Sequence, residues 1–116
     1  MDIYHIWCDL KPGVRDLEFV ESVEAYCSAL RDRGALAAYR ITRRKLGLAH
    51  PALGEFHLML EFDDLAHLDA AFKQAAARSD PIESFHHAVN SKVVNFMASL
   101  YRDFPDGGRR TGEERF

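Results

Sequence analysis

The chain has 116 residues, a formal net charge of -3, 47% hydrophobic residues and 28% charged residues. This length predicts a single domain whose core needs no disulfide or metal ion to hold it together. The composition is not that of a disordered chain, and the slightly acidic balance argues against a nucleic-acid partner. The N-terminal residues lack a basic lead-in and a long apolar run, so we expect no signal peptide, no membrane span and a cytoplasmic location.

In chain order, the first half predicts a strand, a helix and a strand. Residues 2–10 alternate apolar and mixed positions, which is typical of a strand with one buried face. Residues 14–33 carry apolar side chains at three- and four-residue steps, which predicts a helix that ends at Gly34. Residues 35–48 alternate again and predict a second strand. The predicted buried stripe of the helix is Leu17, Val20, Val23, Cys27 and Leu30, with Phe19 and Tyr26 at its margins.

The second half predicts a strand, a helix, a short helix and a strand. Residues 55–63 have the cleanest alternation, and their predicted buried face is Phe56, Leu58, Leu60 and Phe62. Asp63 or Asp64 can cap a helix that runs to residue 78, with Leu65, Leu68, Phe72 and Ala75 as its buried stripe. Asp80-Pro81 predicts the start of a short helix that directs Ile82, Phe85 and Val89 inward. Residues 92–102 predict the last strand, with Val94, Phe96, Ala98 and Leu100 on one face.

This order of elements is the β-α-β-β-α-β pattern of a ferredoxin-like α+β fold, a four-stranded antiparallel sheet with its helices on one face. We expect the domain to span residues 1–104 and residues 105–116 to form a flexible tail. Cys8 and Cys27 have apolar neighbours, which predicts buried thiols, with a disulfide between them as the alternative. The mixed faces of the strands carry Trp7, Met59, Met97 and Tyr101, which favours a homodimer whose sheets face each other.

The element order and face pattern of residues 1–103 resemble the dimeric α+β barrel superfamily, in which two ferredoxin-like protomers enclose a cavity between their sheets. That superfamily includes small monooxygenases, haem-degrading enzymes, muconolactone isomerases and stress-responsive barrel proteins. The haem-degrading members use an Asn, a Trp and a His at set elements. Trp7 stands on the first strand rather than the third, so the resemblance assigns no catalytic residue to this chain.

Two histidines and two acids fall on the mixed faces of the first and third strands. If Trp7 lies opposite Met59, His5 approaches Glu61 and Asp9 approaches His57, because cross-strand partners lie about 4.5–5.5 Å apart. A carboxylate that orients an imidazole makes a usable general base. The predicted catalytic residues are therefore His5, Asp9, His57 and Glu61, and the predicted ligand-binding residues are Trp7, Arg40, Met59, Met97 and Tyr101.

Other interpretations of the same residues remain open. The charged groups can pair across strands or across a dimer as purely structural contacts. Alternatively, His5, His57 and Glu61, with or without Asp9, can form a facial triad for a metal ion. The basic run from Arg40 to Lys45 fits an edge strand that resists aggregation better than a nucleic-acid surface.

The sequence leaves three functional hypotheses and identifies no cofactor or substrate. The first is a small enzyme of the monooxygenase or isomerase kind, which binds an organic molecule on the open face of the sheet. The second is a ligand-binding or stress-response barrel without catalysis, and the third is a structural dimerisation domain. Hydrolase and nucleotide-binding motifs are absent from the sequence. His86 and His87 are adjacent on the short helix, so they cannot both face one site, and a surface position is expected for them.

Overall fold

The structure is a computed structural model that describes residues 1–105 and 111–112. Most of the predicted tail, residues 106–110 and 113–116, lies outside the described residues, so the domain boundary at residue 104 stays a prediction. The elements in chain order are β1 (Asp2–Leu10), α1 (Asp16–Asp32), β2 (Ala38–Arg43), β3 (Phe56–Phe62), α2 (Leu65–Ala76), α3 (Ile82–Asn90) and β4 (Val93–Arg102).

The four strands form one antiparallel sheet in the order β2-β3-β1-β4. The central strands β1 and β3 turn Cys8, Leu58 and Phe62 toward one core, where they meet Phe19 and other residues of α1. The helices therefore cover one face of the sheet and leave the other uncovered. This arrangement confirms the predicted ferredoxin-like fold, because strand order and helix side both follow from the β-α-β-β-α-β sequence of elements.

Strand β3 follows the predicted alternation at every position. Its buried side chains are Phe56, Leu58, Leu60 and Phe62, and the residues between them are partly exposed. Full burial of a large apolar side chain stabilises a fold by roughly 1.5–3 kcal/mol, so this one face anchors the sheet to its helices. Cys8 and Cys27 are buried free thiols, which confirms the thiol prediction and shows that the disulfide alternative was wrong.

Helix α1 buries a different stripe from the predicted one. Leu17 is 73% exposed, whereas Phe19 is 0% exposed and packs edge-on against Phe56, with ring centroids 5.1 Å apart. The buried residues of α1 are Phe19, Val23, Cys27 and Leu30. Leu17 lies about 160° around the helix from Phe19, because each residue advances the helix by about 100°. The prediction that Leu17 is buried was therefore wrong.

Helix α2 is capped as predicted, since the Asp64 carboxylate accepts a hydrogen bond from the His67 backbone N–H at 2.9 Å. Its buried stripe is narrower than predicted, because Leu68 and Ala71 are buried while Leu65 and Phe72 are about half exposed. Phe72 instead packs edge-on against Tyr4. Leu65 and Phe72 stand at the margin of α2, where no further layer covers them in the described part of the chain.

Helix α3 begins one residue later than predicted, with Pro81 rather than Asp80 at its N-cap. Ile82 is buried and Val89 packs against the core, as expected, whereas Phe85 is only partly buried.

A β-bulge interrupts the pairing of β1 with β4. Trp7 pairs with Met97, but Asp9 pairs with Val94, so β4 carries one extra residue between these positions. Asn95 has a φ of 56°, a left-handed conformation that asparagine tolerates better than most residues. The extra residue reverses the alternation of β4 on one side of the bulge. As a result Val93 packs against the core, and the predicted placement of Val94 on the face of Phe96 was wrong.

Candidate functional site

The uncovered face of the sheet, here called the open face, carries all nine predicted site residues. They come from alternate positions of β1, β2, β3 and β4. On β1, Ile3 is flanked by Glu61 of β3 and Tyr101 of β4. His5 is flanked by Met59 and Ser99, and Trp7 is flanked by His57 and Met97. On the far side of β3, Arg40 and Thr42 of β2 pair with Met59 and His57. The structure thus confirms which face these residues share, but not which of them are neighbours.

The register between β1 and β3 differs by two residues from the predicted one. Trp7 pairs with His57 rather than with Met59, so the predicted pairs His5–Glu61 and Asp9–His57 were wrong. The loop before β3 determines this register. Asp9 accepts a hydrogen bond from the Glu55 backbone N–H at 2.8 Å. Gly54 packs so closely on β1 that an added Cβ would meet backbone atoms of Cys8 at 2.6–2.7 Å.

The two histidines contact each other instead of the acids. His5 Nδ1 and His57 Nε2 are 2.8 Å apart, so one imidazole N–H donates a hydrogen bond to the bare nitrogen of the other. His57 stacks on Trp7 with ring centroids 4.5 Å apart and 7° between the planes. Tyr101 packs edge-on against His5 at 5.0 Å. These four rings form a continuous aromatic cluster at the centre of the open face.

Both imidazoles of this cluster are neutral near pH 7. Burial lowers the pKa of His5 below its ordinary value of 6.5. Burial also lowers the pKa of His57, and the nearby His5 adds to the effect. A neutral histidine pair can relay a proton, but it lacks the carboxylate that raises imidazole basicity in a His/acid pair.

The two acids have other surroundings. Asp9 accepts hydrogen bonds from Asn95 Nδ2 at 3.0 Å and from the Glu55 N–H, and these two interactions lower its pKa. Asp9 therefore holds the bulge of β4 and the start of β3 to the end of β1. Glu61 pairs in register with Ile3 of β1 and with Ala38 of β2. Among residues 1–105, neither carboxylate hydrogen-bonds to an imidazole of the cluster.

The hypothetical metal triad of His5, His57 and Glu61 is not formed. Within the described residues, no group of three or more His, Cys, Asp or Glu side chains is arranged to hold a metal ion. The shifted register places Glu61 beside Ile3, one row away from His5.

One residue of the basic run on β2, Arg43, forms ion pairs within the protein. The guanidinium of Arg43 bridges Asp16 at 3.0 Å and Glu55 at 2.9 Å, which ties β2 to α1 and to the loop before β3. β2 is an edge strand, as the charge pattern predicts. Arg40 is exposed on the open face, and within residues 1–105 its guanidinium makes no ion pair.

A cavity that sequence reasoning missed lies on the other side of the sheet, between its core face and the helices. Its volume is about 170 Å³, and its walls come from β1, β3, β4 and all three helices. The half-exposed rings of Phe72 and Phe96 belong to its lining and mark its mouth. Ala71 and Ala75 on the inner side of α2 leave space that larger side chains would fill. These two alanines are the one feature of the sequence that could have indicated the cavity.

The polar groups in this cavity are few. Tyr26 and His86 contact each other with ring centroids 5.7 Å apart, and Asn90 lies in the same wall. Burial raises the pKa of the Tyr26 phenol to about 12 and that of the Cys27 thiol to about 12. Both groups are therefore protonated at neutral pH, and the phenol is a hydrogen-bond donor. His86 was expected at the surface, but it is partly buried in the cavity wall, whereas His87 is exposed as expected.

In the part of the chain that the structure describes, none of the helices is long and apolar enough to cross a membrane.

Comparison with solved structures agrees with this architecture. A protein of Arabidopsis thaliana, At3g17210, matches with a TM-score of 0.71 and 10% identity over 92% of this chain and 99% of its own. SnoaB of Streptomyces nogalater, described as a cofactor-independent oxygenase, matches with a TM-score of 0.66 and 6% identity over 93% and 98%. A dimeric ferredoxin-like protein of unknown function from Thermobifida fusca matches with a TM-score of 0.57 and 20% identity over 87% and 90%.

At these identities the likeness shows the fold alone, which is ferredoxin-like. The sequence itself matches one family model over residues 1–116. The chain belongs to DUF6614, a family of unknown function. No curated protein matches the sequence.

Proposed function

We propose that this protein is a homodimer and that each protomer binds one small, largely apolar organic molecule between its sheet and its helices. The observation that carries the proposal is the cavity of about 170 Å³. An apolar protein cavity of about 150 Å³ binds benzene, so this space suits a molecule with a single substituted ring. Ligand sites in proteins are typically concave and apolar, with a few convergent polar groups, and this cavity has that character.

The polar groups of the cavity suit a ligand with a carbonyl or phenolic oxygen. The protonated Tyr26 phenol can donate a hydrogen bond to that oxygen, and Asn90 offers a second donor in the same wall. The remaining walls are hydrocarbon, two protonated thiols and the protonated phenol of Tyr4, whose pKa is raised by burial. The sequence hypothesis placed the ligand over Trp7 instead, but the described open face has an aromatic cluster rather than an enclosed space.

The chemistry that we propose for this site is removal of a proton from a carbon acid. His86 takes the proton, the electron pair of the broken C–H bond moves onto the carbonyl oxygen, and Tyr26 hydrogen-bonds the resulting enolate. Both isomerisation and cofactor-independent oxygenation can begin with this step, and SnoaB, which has a similar fold, is described as an oxygenase of that kind. The predicted His/carboxylate pair of the open face has no part in the step.

The open face is the surface that we propose for the homodimer. Tyr101 of the aromatic cluster is 60% exposed, and Met97, the cross-strand partner of Trp7, is 40% exposed. Aromatic residues and methionine are enriched at protein interfaces, where charged residues are depleted at the centre. The Thermobifida fusca protein of similar fold is described as dimeric. In this proposal Trp7, Arg40, Met59, Met97 and Tyr101 lie at the contact with the partner subunit and do not bind the organic molecule.

The test is a calorimetric binding titration with one-ring and two-ring phenols, aryl ketones and quinones. We expect saturable binding of one-ring compounds that is weakened by Ala75→Phe, which fills the cavity, and by Tyr26→Phe, which removes only the hydroxyl. Trp7→Phe is the matched control on the opposite side of the sheet and leaves binding unchanged. Binding that survives Ala75→Phe but fails in Trp7→Phe would move the site to the open face and overturn the proposal.

The proposed removal of a proton by His86 is tested by a separate measurement. In heavy water, an enzyme of this kind exchanges the acidic C–H of a bound ketone for deuterium, and His86→Gln abolishes the exchange without abolishing binding. His87→Gln, the adjacent exposed histidine, is the control and retains it. Binding without any exchange would support the second hypothesis, a ligand-binding barrel without catalysis.

A further inference from the structure

The histidine pair of the open face has methionine neighbours on the adjoining strand positions. Met59 is the cross-strand partner of His5 and lies two residues from His57 on β3. Cross-strand partners have Cβ atoms about 4.5–5.5 Å apart, which a methionine side chain easily spans. Met97 is the cross-strand partner of Trp7 on the other side of β1. Two imidazoles and one or two thioethers are therefore brought together on three strands.

Among the described residues, the carboxylates of the open face do not complete a metal-binding group with the two imidazoles. Asp9 is engaged by Asn95 and by the Glu55 N–H. Glu61 is a diagonal neighbour of His5, as His57 is, but among residues 1–105 no hydrogen bond joins its carboxylate to either imidazole. Hard divalent ions prefer oxygen ligands, whereas imidazole with thioether selects soft ions such as Cu(I). A set of two imidazoles and a thioether thus differs in kind from the facial triad considered from the sequence.

We propose that the open face binds one soft monovalent metal ion, Cu(I) or its analogue Ag(I), through His5, His57 and Met59. The site goes beyond the proposed ligand cavity and does not depend on it, because the two lie on opposite sides of the sheet.

Small movements suffice to admit the ion. The facing nitrogens of His5 and His57 are 2.8 Å apart, and they must separate to about 3.3 Å or more, since metal–imidazole bonds are about 2.0–2.1 Å long. The imidazole that donates the hydrogen bond changes tautomer, so that its proton moves to its other nitrogen and the facing nitrogen binds the ion. Both side chains are partly exposed, so these rotations displace no core residue.

The thiols of the chain are poor competitors for the ion. Cys8 and Cys27 are each 1% exposed, and burial raises their thiol pKa values to about 11 and about 12. A metal ligand has to be the thiolate, which is scarce at neutral pH under these conditions. Copper binding to the folded protein therefore reports on the histidine and methionine side chains.

The experiment is an anaerobic titration of the purified protein, in its native oligomeric state, against a chromophoric Cu(I) chelator. Trp7 is the only tryptophan of the chain and stacks on His57, so its emission gives a second, local readout. We expect one Cu(I) per protomer and a saturable loss of Trp7 emission. His5→Gln and His57→Gln each weaken binding by about tenfold or more, and Met59→Leu, which keeps the size of the side chain, weakens it as well.

The control is His87→Gln, which removes an exposed histidine outside the cluster and leaves Cu(I) affinity unchanged. X-ray absorption at the copper edge should show both nitrogen and sulfur neighbours, and the sulfur contribution should fall in Met59→Leu. Circular dichroism before titration confirms that each variant is folded. Absence of binding, binding unaffected by the His5 and His57 variants, or equal affinity for Zn²⁺ would each overturn the proposal.

Discussion

His5 and His57 show how much the role of a residue depends on its immediate neighbour. Each was expected beside a carboxylate, which would raise its pKa, but each lies beside the other, and burial lowers the pKa of both. A hydrogen bond between two imidazoles persists when one ring is protonated, but it is lost when both rings are protonated and charged. The stability of the open face therefore depends on pH in a direction opposite to that expected for a His/acid pair.

This direction leads to a testable pH dependence. A histidine whose pKa is lowered in the folded state contributes stability above its unfolded pKa of 6.5, and that stability is lost as the pH falls toward the folded pKa. We expect the urea midpoint of the wild type to fall more between pH 7.5 and 5.5 than that of a His5→Gln, His57→Gln double variant.

Two other titratable groups, Asp9 and His67, do not affect this comparison of the wild type with the double variant. Asp9, with an ordinary pKa of 3.8 that is lowered further, stays ionised throughout the range. The pKa of exposed His67 is raised by Asp64, which has the opposite sign, but His67 is present in both proteins and its effect cancels. Parallel midpoint curves for the two proteins would contradict the assignment of the pH effect to the histidine pair.

At the scale of the element, helix α1 is held by a narrow stripe that begins at Phe19. This ring fills the space against Phe56 at the start of β3, close to the loop that determines the strand register. Leu17 is two residues earlier and points away from the core. The helix therefore contributes to the site indirectly, by holding the start of β3 in place.

We predict that Phe19→Ala destabilises the protein by about 3–5 kcal/mol, because it removes a fully buried ring and leaves a cavity. Leu17→Ala, on the same helix, should change stability by less than about 0.5 kcal/mol, as is usual for exposed positions. Chemical denaturation of both variants measures the difference. A large loss of stability in Leu17→Ala would mean that this residue is covered by something outside the described chain, such as a partner subunit.

At the scale of the whole molecule, the sheet has one face covered by helices and one face covered by nothing among the described residues. The uncovered face carries a row of aromatic and methionine side chains from β1, β3 and β4. A monomer seldom exposes a contiguous apolar patch of this kind without a binding role. The homodimer that we propose buries this patch without closing the cavity on the opposite side of the sheet.

We predict that the wild-type protein sediments with twice the mass of the chain and that Tyr101→Glu reduces it to the mass of a single chain. The introduced charge faces the partner's sheet in the proposed dimer and would be buried without a counterion. Leu65→Glu is the matched control, because Leu65 is also a half-exposed apolar residue but lies on α2. If Tyr101→Glu remains a dimer while Leu65→Glu dissociates, the interface lies on the helices instead.

The sequence by itself determined the fold and, outside the bulge of β4, the faces of its strands. The alternation of Phe56, Leu58, Leu60 and Phe62 leaves only one face of β3 that can be buried, and the order of elements then selects the ferredoxin-like arrangement. The same alternation correctly placed His5, Trp7 and the other candidate residues on one open face. A period of two fixes the face of a residue, because it is a property of one strand alone.

Only the tertiary structure decided which of those residues are neighbours. A shift of two residues between β1 and β3 keeps every side chain on its face but changes every partner, so alternation cannot detect it. Here Gly54 and the Asp9–Glu55 hydrogen bond, which join segments far apart in the chain, selected the register in which Trp7 pairs with His57 and the side chains of His5 and His57 meet. The bulge at Asn95 and the cavity beside Tyr26 and His86 depend equally on contacts between distant segments. Such contacts leave no periodic signal in the sequence.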